Sequence, residues 1–138
     1  MKVLVDTCVW FLLLRRKQGT VLSADEQGSV TLLRGAIRDG RVAIIGPIRQ
    51  EVLSGIEHWG QFVRLRAALG RFSDETLTEV HFEQAARLFT LCQSKGVGCG
   101  ATAILLCAVA IERGFELLTT DRGLKRCAQV LRAEGLMR

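Results

Sequence analysis

The chain has 138 residues, 49% of them apolar and 24% charged, which fits one domain with its own core and excludes an intrinsically disordered chain. It carries 19 basic against 14 acidic residues, a formal charge of +5 and a pI of about 9.3; this balance suits a polyanionic partner but is weak evidence for one. The longest apolar run, Ile104 to Ile111, is too short to span a bilayer and Asp6 interrupts the apolar start, so a cytoplasmic protein without membrane helix or signal peptide is expected.

In chain order, Val3 to Val5 read as a short buried strand ending on Asp6. Trp10 to Leu14 form an apolar run closed by Arg15, Arg16 and Lys17, a core-facing helix with a solvated end. Val30, Leu33 and Ile37 mark one helix face. Val42 to Ile45 repeat the strand pattern, and Pro47 opens a helix with Glu51 near its start, where the dipole favours an acid. Phe62, Leu65, Leu69 and Phe72 are spaced for a further helix. Leu77 to Val80 are a weaker strand candidate, followed by a helix face of Phe82, Ala85, Ala86 and Phe89. The stretch Ile104 to Ile111 is apolar all round, which predicts a buried helix that Gly114 stops. Glu116 to Thr119 form the last strand, followed by Thr120 and Asp121.

Strands alternating with helices predict an α/β fold with a short parallel sheet between helical layers. Ligands bind beyond the carboxyl ends of such strands, so Asp6 and Asp121 share one rim. Each alone is more simply a helix cap or turn residue. Together with Glu51 they have another use: clustered carboxylates repel unless a cation neutralises them. Oxygen ligands without His or Cys select Mg²⁺ or Mn²⁺, and such a cation activates water for phosphodiester cleavage. Five cysteines (Cys8, Cys92, Cys99, Cys107, Cys127) contain no C-x-x-C pair and read as reduced core thiols. His58 and His81 have no spaced partner and receive no catalytic role.

The segment V-L-V-D-T-C-V-W (Val3 to Trp10) resembles the opening strand and first acid of PIN domains, and P-I-R-Q-E-V-L-S-G-I (Pro47 to Ile56) resembles their second acidic motif, with Glu51 as its acid. L-L-T-T-D-R (Leu117 to Arg122) is similar to the closing motif, with Asp121 as its acid. The three motifs span nearly the whole chain, as one PIN domain over residues 1–138. Between them, K-G-V-G-C-G-A-T-A-I-L-L-C-A-V-A (Lys95 to Ala110) resembles the segment that in this family runs G-x-T-D before an apolar helix, and Ala103 stands where that Asp belongs. Gly100, Thr102 and the helix behind them are kept, so the departure is one side chain deep. A deliberate Asp→Ala change that silences a toxic nuclease explains this better than natural decay, which would have removed more than one ligand.

The resemblance implies a VapC-type toxin. Such a protein is a Mg²⁺- or Mn²⁺-dependent endoribonuclease acting on tRNA or ribosomal RNA, homodimeric and silenced by a VapB-type antitoxin. It implies Asp6, Glu51 and Asp121 as catalytic metal ligands, with Ala103 at the position of the missing one. Thr7 and Thr119 accompany the acids and orient carboxylates or water, although capping explains them equally well. Arg15, Arg16, Arg122, Lys125 and Arg126 are candidates for holding RNA phosphate, and Trp10 or Phe11 is expected to be partly exposed in the antitoxin groove. The alternative is a catalytically dead PIN fold that binds RNA or protein. A phospho-acceptor receiver is disfavoured: Thr7, not a second acid, follows Asp6, and no lysine ends a strand.

Overall fold

In the computed structural model, which describes residues 1–138, β1 (Val3–Val5) leads to α1 (Thr7–Leu14), α2 (Ala24–Arg38) and β2 (Val42–Ala43). Four helices follow, α3 (Gly46–Leu53), α4 (Trp59–Leu69), α5 (Glu79–Ser94) and α6 (Ala101–Arg113), before β3 (Glu116–Leu118) and α7 (Arg122–Ala133). The strands pair in parallel in the order β2-β1-β3. Central β1 is buried at all three positions, as a strand covered on both faces must be. The two connections run in opposite directions across the sheet, so right-handed crossovers set helices on both faces. The chain thus has the α/β/α architecture its sequence predicts. No helix is long and apolar enough to cross a membrane.

Local sequence explains most element boundaries. Ser23 and Glu26 form a reciprocal capping box at the start of α2, with Asp25 and Glu26 in the first turn. In α6 every residue from Ile104 to Ala110 is buried, as the unbroken apolar run requires, and Gly114 ends the helix at φ +69°, a conformation that only glycine adopts at little cost.

Three expectations are corrected here. Leu77 to Val80 form no strand: the Thr78 N–H donates to His81 Nδ1 at 3.0 Å and starts α5, so a local cap overrides a four-residue β pattern. The sheet edge is met earlier, by a bridge between Ile44 and Asp74. The buried face of α5 is His81, Ala85, Leu88 and Cys92, one position round from the expected face, and Phe82 and Phe89 are left exposed. Trp10 is fully buried with its ring 5.5 Å from that of Phe72; Phe72 has left α4 and packs from the following turn. Phe11 is half-buried, so of Trp10 and Phe11, one of which is expected to be partly exposed, it is Phe11.

Candidate active site

The chain leaves central β1 toward β2 and later returns on the other side as β3. This reversal opens a crevice at the carboxyl ends of β1 and β3, where parallel sheets bind ligands. Asp6 follows β1 directly and Asp121 follows β3 after Thr119 and Thr120. A cleft of about 620 Å³ lies there, and its lining includes Asp6, Glu51, Asp121 and Ala103 together with Thr7 and Cys8. A comparable hollow of about 670 Å³ lies at the opposite rim, lined by residues such as Met1, Phe115 and Leu136, and Glu116 is its only acid. The carboxyl-end cleft is therefore where the chemistry collects.

Hydrogen bonds join the acids through two threonines. The Thr119 hydroxyl donates to Asp6 Oδ2 at 2.7 Å and accepts the Asp121 N–H at 3.0 Å. The Thr7 N–H donates to Asp6 Oδ1 at 2.8 Å and its hydroxyl to Glu51 Oε1 at 2.6 Å. The order Glu51, Thr7, Asp6, Thr119, Asp121 thus runs as one chain of contacts along the cleft. The simpler cap reading is also realised: Asp6 is the N-cap of α1, and Asp121 Oδ2 accepts the Leu124 N–H at 2.8 Å as the N-cap of α7. Capping and service in a site are compatible: Asp121 caps through Oδ2, Asp6 caps through Oδ1 and takes Thr119 on Oδ2, and a carboxylate has lone pairs for further partners.

Three helices, α1, α6 and α7, begin at this cleft. Their positive ends offset part of the repulsion among acids. Gly100, the N-cap of α6, has no side chain to cap it, and Ala103 stands in the first turn, where a carboxylate would be favoured. Glu51 is the exception: it lies in the last turn of α3 and not near its start, so the dipole opposes its charge. Its placement has no explanation in helix stability.

The donor types are those of a hard divalent cation, but no group of three His, Cys, Asp or Glu side chains closes on one point. Ala103, at the position where the sequence resemblance places a further acid, lines the same cleft. Cys8, expected in the core, is instead half-buried beside the acids, its Sγ 3.5 Å from both Asp6 Oδ2 and the Thr119 hydroxyl. Its position two residues past a strand-end acid was the available signal. Cys92, Cys107 and Cys127 are buried, and all five thiols are free.

The basic residues divide. Arg15 donates to the carbonyls of Val52 and Ser54 at 3.4 and 2.9 Å and lies over Phe11, so it is engaged in tying α1 to the end of α3. Lys125 pairs with Asp25 at 3.2 Å across the surface. Arg16, Arg122 and Arg126 are exposed, and Arg122 adjoins Asp121.

The PIN domain family model matches residues 3–130. The chain belongs to the PIN domain family. This family consists in general of metal-dependent nucleases, and the acids at the carboxyl-end cleft of this PIN domain are of the kind such chemistry needs. The fold is similar to that in the crystal structure of FitAcB from Neisseria gonorrhoeae, with a TM-score of 0.67 at 18% identity over 92% of this chain and 93% of that one. A comparison with curated proteins gave no match.

Proposed function

We propose that this PIN domain is the toxin of a type II toxin–antitoxin pair of the VapC kind, an endoribonuclease for tRNA or ribosomal RNA whose activity is impaired at Ala103. The observation that carries this reading is the convergence of Asp6, Glu51, Asp121 and Ala103 on one cleft. Asp6, Glu51 and Asp121 would hold Mg²⁺ or Mn²⁺, which when bound neutralises the acids and the charge that develops on a cleaved phosphodiester. Thr7 and Thr119 hold the carboxylates in register. Arg122 and Arg126 are free to take the phosphates of the strand. The expected setting is the cytoplasm.

A VapB-type antitoxin and a second copy of the chain are the proposed partners. In favour of the homodimer is the groove formed by Pro47, Phe82, Phe89, Ala101 and Leu105, whose lining carries no charged residue; burying it would recover stabilisation that an isolated chain forgoes.

The second reading is a catalytically inert PIN fold that binds RNA or protein, and the incomplete ligand set favours it. Cleavage of total tRNA and ribosomal RNA by the Ala103→Asp variant, with and without Mg²⁺ or Mn²⁺, separates the two. Metal-dependent cleavage supports the nuclease, and an Ala103→Asp protein that neither cuts RNA nor responds to metal leaves the inert module.

A further inference from the structure

Helix α4 carries an aromatic pair whose outer member, Trp59, the core does not use. Trp59 is 68% exposed, and its ring stacks on Phe62 with centroids 5.3 Å apart and planes 11° from parallel. The Arg66 guanidinium lies 5.7 Å from the Trp59 ring and 5.9 Å from the Phe62 ring. Leu65 and Leu69 are the buried residues of the helix; Phe62, on their face at helical spacing, is half-buried, and Trp59, stacked on its ring, presents the exposed side of the pair. Single exposed apolar residues are ordinary. A pre-ordered, nearly parallel stack with a cation across it is a more specific arrangement.

We propose that the Trp59–Phe62 pair is a stacking platform for an unpaired base of a single-stranded RNA segment, with Arg66 and Arg64 taking the adjacent phosphates; this rests on RNA as the substrate. Unpaired bases stack on aromatic rings and on guanidinium planes irrespective of sequence. The charge around the platform has the sign a polyanion requires: from Glu57 to Arg71 the chain carries Arg64, Arg66 and Arg71 against the single acid Glu57. Arg64 and Arg66 are exposed and take part in none of the ion pairs. The Phe82–Phe89 groove, with no charged lining, has the opposite character and suits a protein surface. The platform is also near the acids. Ser54 lines the acid cleft, and at 3.8 Å per residue the five steps to Trp59 place their Cα atoms no more than about 19 Å apart. A strand lying across the cleft can therefore reach α4 within a few nucleotides.

The two tryptophans make the proposal directly readable, because Trp10 is 1% exposed and Trp59 is 68% exposed. Titration of the chain as it stands with a short oligoadenylate should quench the Trp59 emission, whereas a duplex RNA of equal length should quench it far less. Trp59→Ala should weaken oligoadenylate binding by about 5- to 100-fold, the loss expected for one base–aromatic stack, and Trp59→Phe should restore much of it. Arg66→Ala should lower the slope of log affinity against log salt by about 0.7. Oligoadenylate binding without quenching, together with Trp59→Ala binding as tightly as the parent, overturns the platform and leaves the nuclease reading intact. A Trp59→Ala protein that keeps RNA affinity but loses a protein antitoxin assigns the surface to protein and likewise overturns it. Failure of the parent to bind any RNA overturns the platform and the substrate reading together.

Discussion

Thr119 donates its hydroxyl proton to Asp6 across 113 residues of sequence, at 2.7 Å, and so fixes the end of β3 to the acid at the end of β1. The same oxygen receives the Asp121 N–H. One side chain thus sets the spacing of two of the three acids, and Thr119→Val removes that link while keeping shape. We expect it to cost about 1.5–3 kcal/mol, since the bond is to a charged acceptor. In an Ala103→Asp background it should weaken Mn²⁺ binding by about 10- to 100-fold. Chemical denaturation and calorimetry read the two effects separately, and an unchanged metal affinity would deny Thr119 its positioning role.

Ala103→Asp adds a fourth carboxylate to the cleft. The N-terminal turn of α6 returns about 0.3–1 kcal/mol of this by the helix dipole, but repulsion from Asp6, Glu51 and Asp121 opposes it. The metal-free variant should melt below the parent in EDTA. Mg²⁺ at 100 times its Kd should then add about 2.7 kcal/mol by mass action, whereas the parent should respond little. Thermal melts of both proteins with and without Mg²⁺ make the comparison.

Glu51 sits where its own helix disfavours it. Glu51→Gln keeps an oxygen for the Thr7 hydroxyl and removes the charge, so the metal-free chain should gain a few tenths to about 1 kcal/mol. In the Ala103→Asp background, metal affinity should fall at least about 10-fold. A gain of stability with a loss of affinity is the signature of an acid kept for a site; a loss of both would make Glu51 structural.

Burial lifts the thiols of Cys92 and Cys127 from 9.0 to about 11 and that of Cys107 to about 12, with neighbouring thiols adding to the rise. These groups are neutral at pH 8 and should resist a thiol reagent until the chain unfolds. Because their folded pKa values exceed the unfolded ones, their contribution to stability is complete below pH 9 and is lost as pH rises toward 11 to 12. Titration with a chromogenic disulfide in native and denaturing buffer counts the protected thiols, and fast labelling of all five in the native chain would contradict their burial.

His81 is the buried polar group whose structural role was not apparent in the sequence. Its Nδ1 accepts from Thr78, so Nε2 carries the proton and donates to Glu112 at 2.8 Å. That bond, aided by Arg113 and opposed by partial desolvation, holds the Glu112 carboxyl below its ordinary 4.5. A depressed folded value means that stability is present above about pH 4.5 and is lost as pH falls through the folded value. Glu112→Gln should flatten that acid limb. His81→Ala should cost about 1–3 kcal/mol by unfastening the start of α5, and equal acid profiles for Glu112→Gln and parent would refute the pairing.

Several features were determined by sequence because their causes are local or periodic. The Val3–Val5 strand, the capping box at Ser23 and the all-apolar α6 stopped by Gly114 each follow from residues within a few positions of one another, and burial has only one way to satisfy them. Asp6 was legible because it directly follows an unbroken apolar strand, and Asp121 because it follows the Leu117–Leu118 pair after two threonines. What tertiary structure decided depends on partners distant in sequence. Pattern alone could not show that Phe72 would leave its helix to bury Trp10, or that Leu88 and Cys92, not Phe82 and Phe89, would face the core. The hydrogen-bonded chain from Glu51 to Asp121 exists only because parallel pairing in the order β2-β1-β3 places the ends of β1 and β3 side by side. A hydroxyl reaches no farther than about 3 Å, so only that register brings Thr119 to Asp6.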